Sequence, residues 1–306
     1  MFNFVLAPEH AALSRLWLVG CGAMGGALLA RWLEAGLPAA QITVIDPDPR
    51  GLPADFAGAV VPDAISAWAH APEPTLVILG IKPQLLPRLA PGLSHLLRPA
   101  PLMLSMLAGV QSETLVSLFP GAPVIRMMPN TPARIGRGMT ALFAQGASAA
   151  DCAAVDWLME TTGAVRWLQS ESQFDAVTAV SGSGPAYVFR FIEALAAAAQ
   201  EAGLPADIAL QLATETVAGA GELARASGIH PSVLREQVTS PNGTTAAGLD
   251  VLDGDGLLSG LLRETVKAAA DRSKALAIAA AEGEKTPSAP SAPSAPSAPR
   301  RAARAR

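Results

Sequence analysis

From Arg15 onward the chain sets short apolar runs against longer segments with helical spacing: RLWLVG, MGGALLARWLEAG, QITVID, TLVILGI, PQLLPRLAPGLSHLLR, LMLSML and APVIRMM. Short unbroken aliphatic runs predict strands covered on both faces, and their alternation with helices predicts a doubly wound, mostly parallel α/β sheet. GMTALFA and AVRWL predict two further strands around the helix ADCAAVDWLMETTG. After about Ser170 the strand signals stop and Ala-rich helical patterns continue to Glu282, with stops expected at Gly203 and Gly228. The expected organisation is therefore an N-terminal extension (1–14), an α/β domain (15–170), an all-α domain (171–282) and a tail (283–306). Four SAP repeats followed by RRAARAR build no core, so the tail is predicted to be disordered and polyproline-like.

VGCGAMGGALLA places Gly20, Gly22 and Gly25 as G-x-G-x-x-G directly after the first strand and directly before an amphipathic helix. That context is what gives the pattern meaning: the first glycine turns the chain, the second admits a pyrophosphate and the third lets helix and strand pack. Ala23 and Met24 complete this loop, and Cys21 reads as a space-filler within it. Asp46 closes the second strand, where a carboxylate can bond the ribose hydroxyls of NAD, while Arg50 can instead accept the 2′-phosphate of NADP, so both choices stay open. DPDPR also reads simply as a turn. GIKPQ puts Ile81, Lys82 and Pro83 at the end of the third apolar strand, where open parallel sheets hold ligands. RMMPNTPA does the same for Met128, Pro129 and Asn130, with two readings for Asn130: an amide toward a nicotinamide, or part of a rigid interdomain hinge.

Composition narrows the partners. Half of the 306 residues are hydrophobic and 16% are charged, an excess of apolar surface that part of a subunit interface would absorb. Without residues 283–306, five of the 22 basic and one of the 26 acidic residues go, leaving a body of net charge −8, which argues against nucleic acid. Cys21 and Cys152 have no zinc or redox spacing, so a reduced, cytoplasmic, metal-free protein is expected. The start, MFNFVLAPEHAALSR, has no basic leader before a long apolar stretch, and no apolar run approaches the roughly 20 residues of a membrane helix.

VGCGAMGGALL, GIKPQ, RMMPNTPA, DAVTAVSGSGPAYVF and VTSPNGTTAAGL, in this order and spacing, resemble the pyrroline-5-carboxylate reductase family from about Leu16 to Leu276. The resemblance implies a Rossmann domain, an all-helical domain that interlocks with its partner into a homodimer, and a larger ring such as a decamer. It implies reduction of the cyclic imino acid L-1-pyrroline-5-carboxylate to L-proline with NADPH or NADH. Carried over by position, Ser240, Asn242, Gly243, Thr244 and Thr245 form the substrate loop, with Thr245 hydrogen-bonded to the ring nitrogen, and Glu171 lies near the cofactor. As plain structure, Glu171 favours a helix N-terminus and Thr244 or Thr245 caps one. Asn242 departs from the glycine frequent at its position, and the extension and the tail match nothing in the family.

The substrate loop contains no ionisable side chain, and imine reduction asks for none: a protonated C=N bond accepts hydride when it is positioned and its polar ends are hydrogen-bonded. Asn242 to Thr245 precede a helical pattern, so free N–H groups at that helix start can receive the substrate carboxylate. Tyr187, the lone tyrosine, reads as packing, and His10, His70, His95 and His230 are scattered and read as non-catalytic. Three rivals remain. A β-hydroxyacid dehydrogenase needs a base such as Lys267 or Lys274, a broader imine reductase shares the chemistry, and a nucleotide-sensing binding protein moves no hydride.

Overall fold

The computed structural model describes residues 13–282, so the expectations for most of the extension and for the tail lie outside the described residues. Eight strands form one sheet: β1 (Leu16–Val19), β2 (Ile42–Ile45), β3 (Ala59–Val61), β4 (Leu76–Leu79), β5 (Leu102–Ser105), β6 (Val124–Met128), β7 (Gly138–Gln145) and β8 (Gly163–Trp167). Their order is β3-β2-β1-β4-β5-β6-β7-β8. All neighbours run parallel except β6 and β7, which pair antiparallel with Met128 opposite Ala141. The chain winds outward from β1 in one direction and from β4 in the other, which opens a crevice at the carboxyl ends of these two strands.

Helices α1 (Ala23–Glu34), α2 (Ala64–His70), α3 (Leu86–Leu96), α4 (Ser112–Leu118) and α5 (Ala149–Glu160) accompany the sheet. Alternating side chains of β1 feed two cores. Leu16 and Leu18 pack with Leu28 and Trp32 of α1 and Leu158 of α5, whereas Trp17 and Val19 join Leu86 and Leu93 of α3 and Leu115 of α4. Each such buried side chain contributes about 1.5–3 kcal/mol, so neither layer is dispensable. The Trp32 ring nitrogen donates to the Leu158 carbonyl at 3.1 Å and ties α1 to α5.

After Trp167 no strand follows among the described residues. A 3-10 turn at Glu171–Gln173 leads into α6 (Phe174–Val177), a π-helical turn at Thr178–Gly182, and then α7 (Gly184–Glu201), α8 (Ala206–Ser227), α9 (Pro231–Gln237), α10 (Thr244–Asp253) and α11 (Leu257–Glu282). Gly203 and Gly228 follow α7 and α8 with φ of +101° and +64°, a backbone that only glycine adopts freely. The long α11 packs on α6 and the π-turn, where Ser273 Oγ donates to Asp175 at 2.7 Å. It also rests on the loop after β5: a Cβ at Gly109 would lie 3.1 Å from the Ala277 backbone. In α7 to α11 the buried residues are small, Ala196, Ala209, Ala213 and Ser273, while Phe189, Leu212 and Leu223 stand exposed. No helix of the described residues is long and apolar enough to cross a membrane.

Candidate active site

The glycine loop shows what each glycine is for. Gly20 has φ +96°, and a Cβ there would lie 2.7 Å from the Gly80 carbonyl group; a Cβ at Gly25 would meet the Gly20 oxygen at 2.5 Å. Both positions are therefore closed by protein packing. Gly22 is different: a Cβ there would meet no atom within 4 Å, although Gly22 is the N-cap of α1 and no side chain caps that helix. Open space in front of uncapped N–H groups, with no acidic residue in the first turn, is a cradle for an anion, and the residues present fit a dinucleotide pyrophosphate. Ala23 is exposed beside it and Met24 half-buried.

Asp46 reaches this loop directly. Its carboxylate accepts from the Cys21 N–H at 2.7 Å and from the Asp48 N–H at 2.8 Å. Burial, and then the Asp46 charge, push the Cys21 thiol up to about 11, so the thiol stays protonated and serves as packing. Arg50 Nε pairs with Asp48 at 2.6 Å on the surface. Gly51 closes the segment onto the loop by donating to the Cys21 carbonyl at 2.8 Å; a Cβ at Gly26 would collide with the Gly51 backbone and one at Gly51 with the Gly22 carbonyl, so neither position has room for a side chain. This glycine pair was not singled out in the sequence; GG after the motif and PRG after the second strand were its signals.

At the next strand end Ile81 and Pro83 are half-buried and Lys82 is exposed. Pro83, Gly109, Gln111, Asp175 and Lys274 line a cleft of about 670 Å³ between α3, α4 and α11. An adjoining pocket of about 180 Å³ includes Arg126, Met128, Glu171 and Thr178. Pro129 is buried behind it. The Asn130 side chain, also buried, is fully engaged: its oxygen accepts from the Met139 N–H at 2.9 Å and its nitrogen donates to both the Ser181 carbonyl and Oγ at 3.2 Å. It thus fastens the end of β6 to the π-turn.

Glu171 forms the second fastening. Its carboxylate accepts from Ser112 N–H at 2.6 Å, Ser112 Oγ at 2.7 Å and Arg126 Nη1 at 2.6 Å, while Arg126 lies over the Phe174 ring at 4.3 Å. Burial raises the Glu171 pKa, but the bonds from Ser112 and Arg126, with the Arg126 charge, outweigh it and hold the group below its ordinary 4.5. Ser112 and Arg126 were missed in the sequence. Arg126 had a signal, a lone charge inside the apolar strand VIRMM, since a buried charge requires a partner.

Ser240, Asn242, Gly243, Thr244 and Thr245 do come together, at the start of α10. Asn242 adopts φ +60°, the left-handed backbone that glycine would otherwise supply. Gly243 is the N-cap, with no side-chain cap and no acidic residue in the first turn, and the Ser240 Oγ occupies the space a Cβ at Gly243 would need. Among the described residues the Ser240, Thr244 and Thr245 side chains are exposed and make no hydrogen bond, and none of the five lines the cleft or its adjoining pocket. Within one chain, neither the loop nor the glycine cradle lines these two cavities. Elsewhere, Lys267 is paired with Asp271 at 2.6 Å, His230 Nδ1 caps Ser232, and His70 Nδ1 contacts the Ser66 carbonyl.

A doubly wound sheet, an open glycine cradle and an α-helical second domain define a dinucleotide-dependent oxidoreductase. Accordingly, residues 15–109 match the family described as "NADP oxidoreductase coenzyme F420-dependent", and residues 171–276 match "Pyrroline-5-carboxylate reductase dimerisation". The chain is 38% identical to the pyrroline-5-carboxylate reductase of Pseudomonas aeruginosa, over 86% of this chain and 97% of that protein. It is 41% identical to the Synechocystis enzyme of the same name, over 86% and 98%. The solved pyrroline-5-carboxylate reductase of Coxiella burnetii superposes with a TM-score of 0.79 at 29% identity, covering 90% of this chain and all of that one. The chain belongs to the pyrroline-5-carboxylate reductase family.

Proposed function

We propose that the protein reduces L-1-pyrroline-5-carboxylate to L-proline, with the glycine cradle of one subunit and the substrate loop of its dimer partner forming one site. The observation that carries this reading is the α10 start: an uncapped helix N-terminus carrying hydroxyls with no partner, on a face removed from its own cleft. Gly20, Gly22, Ala23, Met24 and Gly25 would hold the pyrophosphate, Asp46 the ribose, and Ile81, Lys82, Pro83, Met128, Pro129 and Glu171 the nicotinamide side. Asn130 acts through position, since its amide is spent on the hinge. When bound, the reduced nicotinamide supplies hydride to the imine carbon.

The chain's own contribution is binding and orientation. N–H groups at Gly243 to Thr245 receive the carboxylate through the favourable end of the helix dipole, Ser240 and Thr244 supply further donors, and Thr245 Oγ1 hydrogen-bonds the ring nitrogen. Residues 15–170 serve as the cofactor domain and 171–282 as the dimerisation domain; the exposed apolar side chains of α7 and α8 become the interface. A ring of dimers such as a decamer, and a cytoplasmic location, complete the proposal. They rest on the family likeness and on the two free cysteines of the described chain. The paired state of Lys267 disfavours a dehydrogenase base there.

The test follows absorbance at the nicotinamide band with NADH or NADPH and the imine, and then mixes two inactive variants, Gly22→Val and Thr245→Ala, in one oligomer. Proline formation and partial recovery in the mixed oligomer are expected; no consumption of either dinucleotide, or no recovery, overturns the reaction or the shared site respectively.

A further inference from the structure

We infer that Asp46 makes this enzyme choose NADH over NADPH, an inference that rests on the oxidoreductase reading above. Asp46 is held in place from three sides. Its N–H donates to the Val61 carbonyl at 3.0 Å, and its two carboxylate oxygens accept from the N–H groups of Cys21 and Asp48. Swinging the carboxylate aside would strip the buried Cys21 N–H of its acceptor, so the negative charge stays at the rim of the pyrophosphate cradle. Each oxygen spends one lone pair on these bonds and keeps another, enough to accept from a ribose hydroxyl. That is the placement in which an acidic side chain at the end of the second strand recognises an unphosphorylated ribose.

A 2′-phosphate at the same point would bring a second, larger negative charge against this fixed one. Arg50 offers no remedy. It is 84% exposed and already bound to Asp48, and if it turned to a phosphate it would leave the Asp48 carboxylate unneutralised beside Asp46. The segment DPDPR carries one net negative charge in either arrangement. Nor can the acidic turn move outward independently of the loop, because Gly51 is hydrogen-bonded to Cys21 and packed against Gly26. The selectivity is therefore built by the same contacts that shape the cradle.

The test is direct binding, by titration calorimetry of the full-length protein with NADH, NADPH, ADP-ribose and 2′-phospho-ADP-ribose, without imine. The unphosphorylated member of each pair should bind at least about tenfold more tightly. Asp46→Ser should narrow that ratio at least about tenfold by improving the phosphorylated ligands, and Arg50→Ala should leave it unchanged within about threefold. Equal or tighter binding of the phosphorylated ligands to the unaltered chain, or their selective loss in Arg50→Ala, would overturn the inference even if Asp46→Ser fails to fold. NADH binding with the expected ratio but no reduction of the imine would support it while removing the substrate proposal; binding of neither dinucleotide would remove both.

Discussion

The two halves of this chain handle apolar surface in opposite ways. Around the sheet, a contiguous core encloses side chains as large as Trp17, 1% exposed, and Trp32, fully buried. In the helices that follow Glu171, Phe189 is 58% exposed and Val251 79%. A half that closes its own core needs nothing else to hold its shape, whereas a half that leaves aromatic and aliphatic side chains in water is shaped for a complementary surface. The same contrast divides the chemistry. The uncapped glycine cradle belongs to the sheet half, and the uncapped start of α10 to the helical half.

The largest test of this contrast is to charge the uncovered face. Phe189→Asp combined with Leu212→Glu should dissociate the dimer and remove turnover almost entirely, because an interface core does not tolerate unpaired charge. Sedimentation gives the mass and calorimetric titration the cofactor affinity, which should stay within about threefold if the sheet half stands alone. A stable dimer carrying both substitutions would mean that the subunit interface lies elsewhere.

A smaller effect is expected where the halves meet. Arg126→Ala leaves the Glu171 carboxylate without its buried counter-charge and should cost about 3–5 kcal/mol in denaturant unfolding. Glu171 also sets an acid limit. Its folded pKa is held below its ordinary 4.5, so its contribution is present above that pH and is lost as the pH falls through the folded value. Glu171→Gln should therefore flatten the stability profile on the acid side; an unchanged profile would show the fastening to be electrostatically idle.

The mildest change structurally is Thr245→Ala, since the side chain is exposed and unbonded in the single chain. Stability should move by no more than about 0.5 kcal/mol, while kcat falls about 100-fold, or about 2.7 kcal/mol, if the hydroxyl meets the ring nitrogen. Cofactor affinity should not change. A full kcat would detach Thr245 from the reaction and sharpen the question of which donor serves the nitrogen.

Much of this division was legible in the sequence, for identifiable reasons. Seven strands announced themselves as apolar runs, and five of them, β1, β2, β4, β5 and β6, have every residue buried, so no polar side blurs them. The edge strand β3, three residues with mostly exposed side chains, offered no such pattern. The glycine cradle was readable because strand, loop and helix are contiguous. Contacts across the fold were not: Arg126 and Glu171 lie 45 residues apart, and Asn130 and Ser181 lie 51 apart. Nor did the sequence tell whether Arg50 would turn to a phosphate or to Asp48, a choice set by side-chain geometry two residues away. The composition of the loop before α10 was legible, but its left-handed Asn242 and its distance from the cavities beside α11 were not, because they are set by tertiary structure.

The π-turn at Thr178–Gly182 carries a consequence for how such chains can diverge. Thr178 accepts from the Ser183 N–H five residues on, one residue more than an α-helix uses, and the surplus lets the Ser181 carbonyl turn to the Asn130 amide. The widened turn absorbs that residue, so deleting it would restore regular winding with α7 still in phase, whereas deleting one residue between Gly184 and Phe189 would rotate everything beyond it by about 100° and shift it by about 1.5 Å. Phe189 and its neighbours would then face a different quadrant, and the mating surfaces of two copies would no longer coincide. Point substitutions can drift along α7, but the residue count from Gly184 to Phe189 must stay constant for two copies to mate through the proposed face.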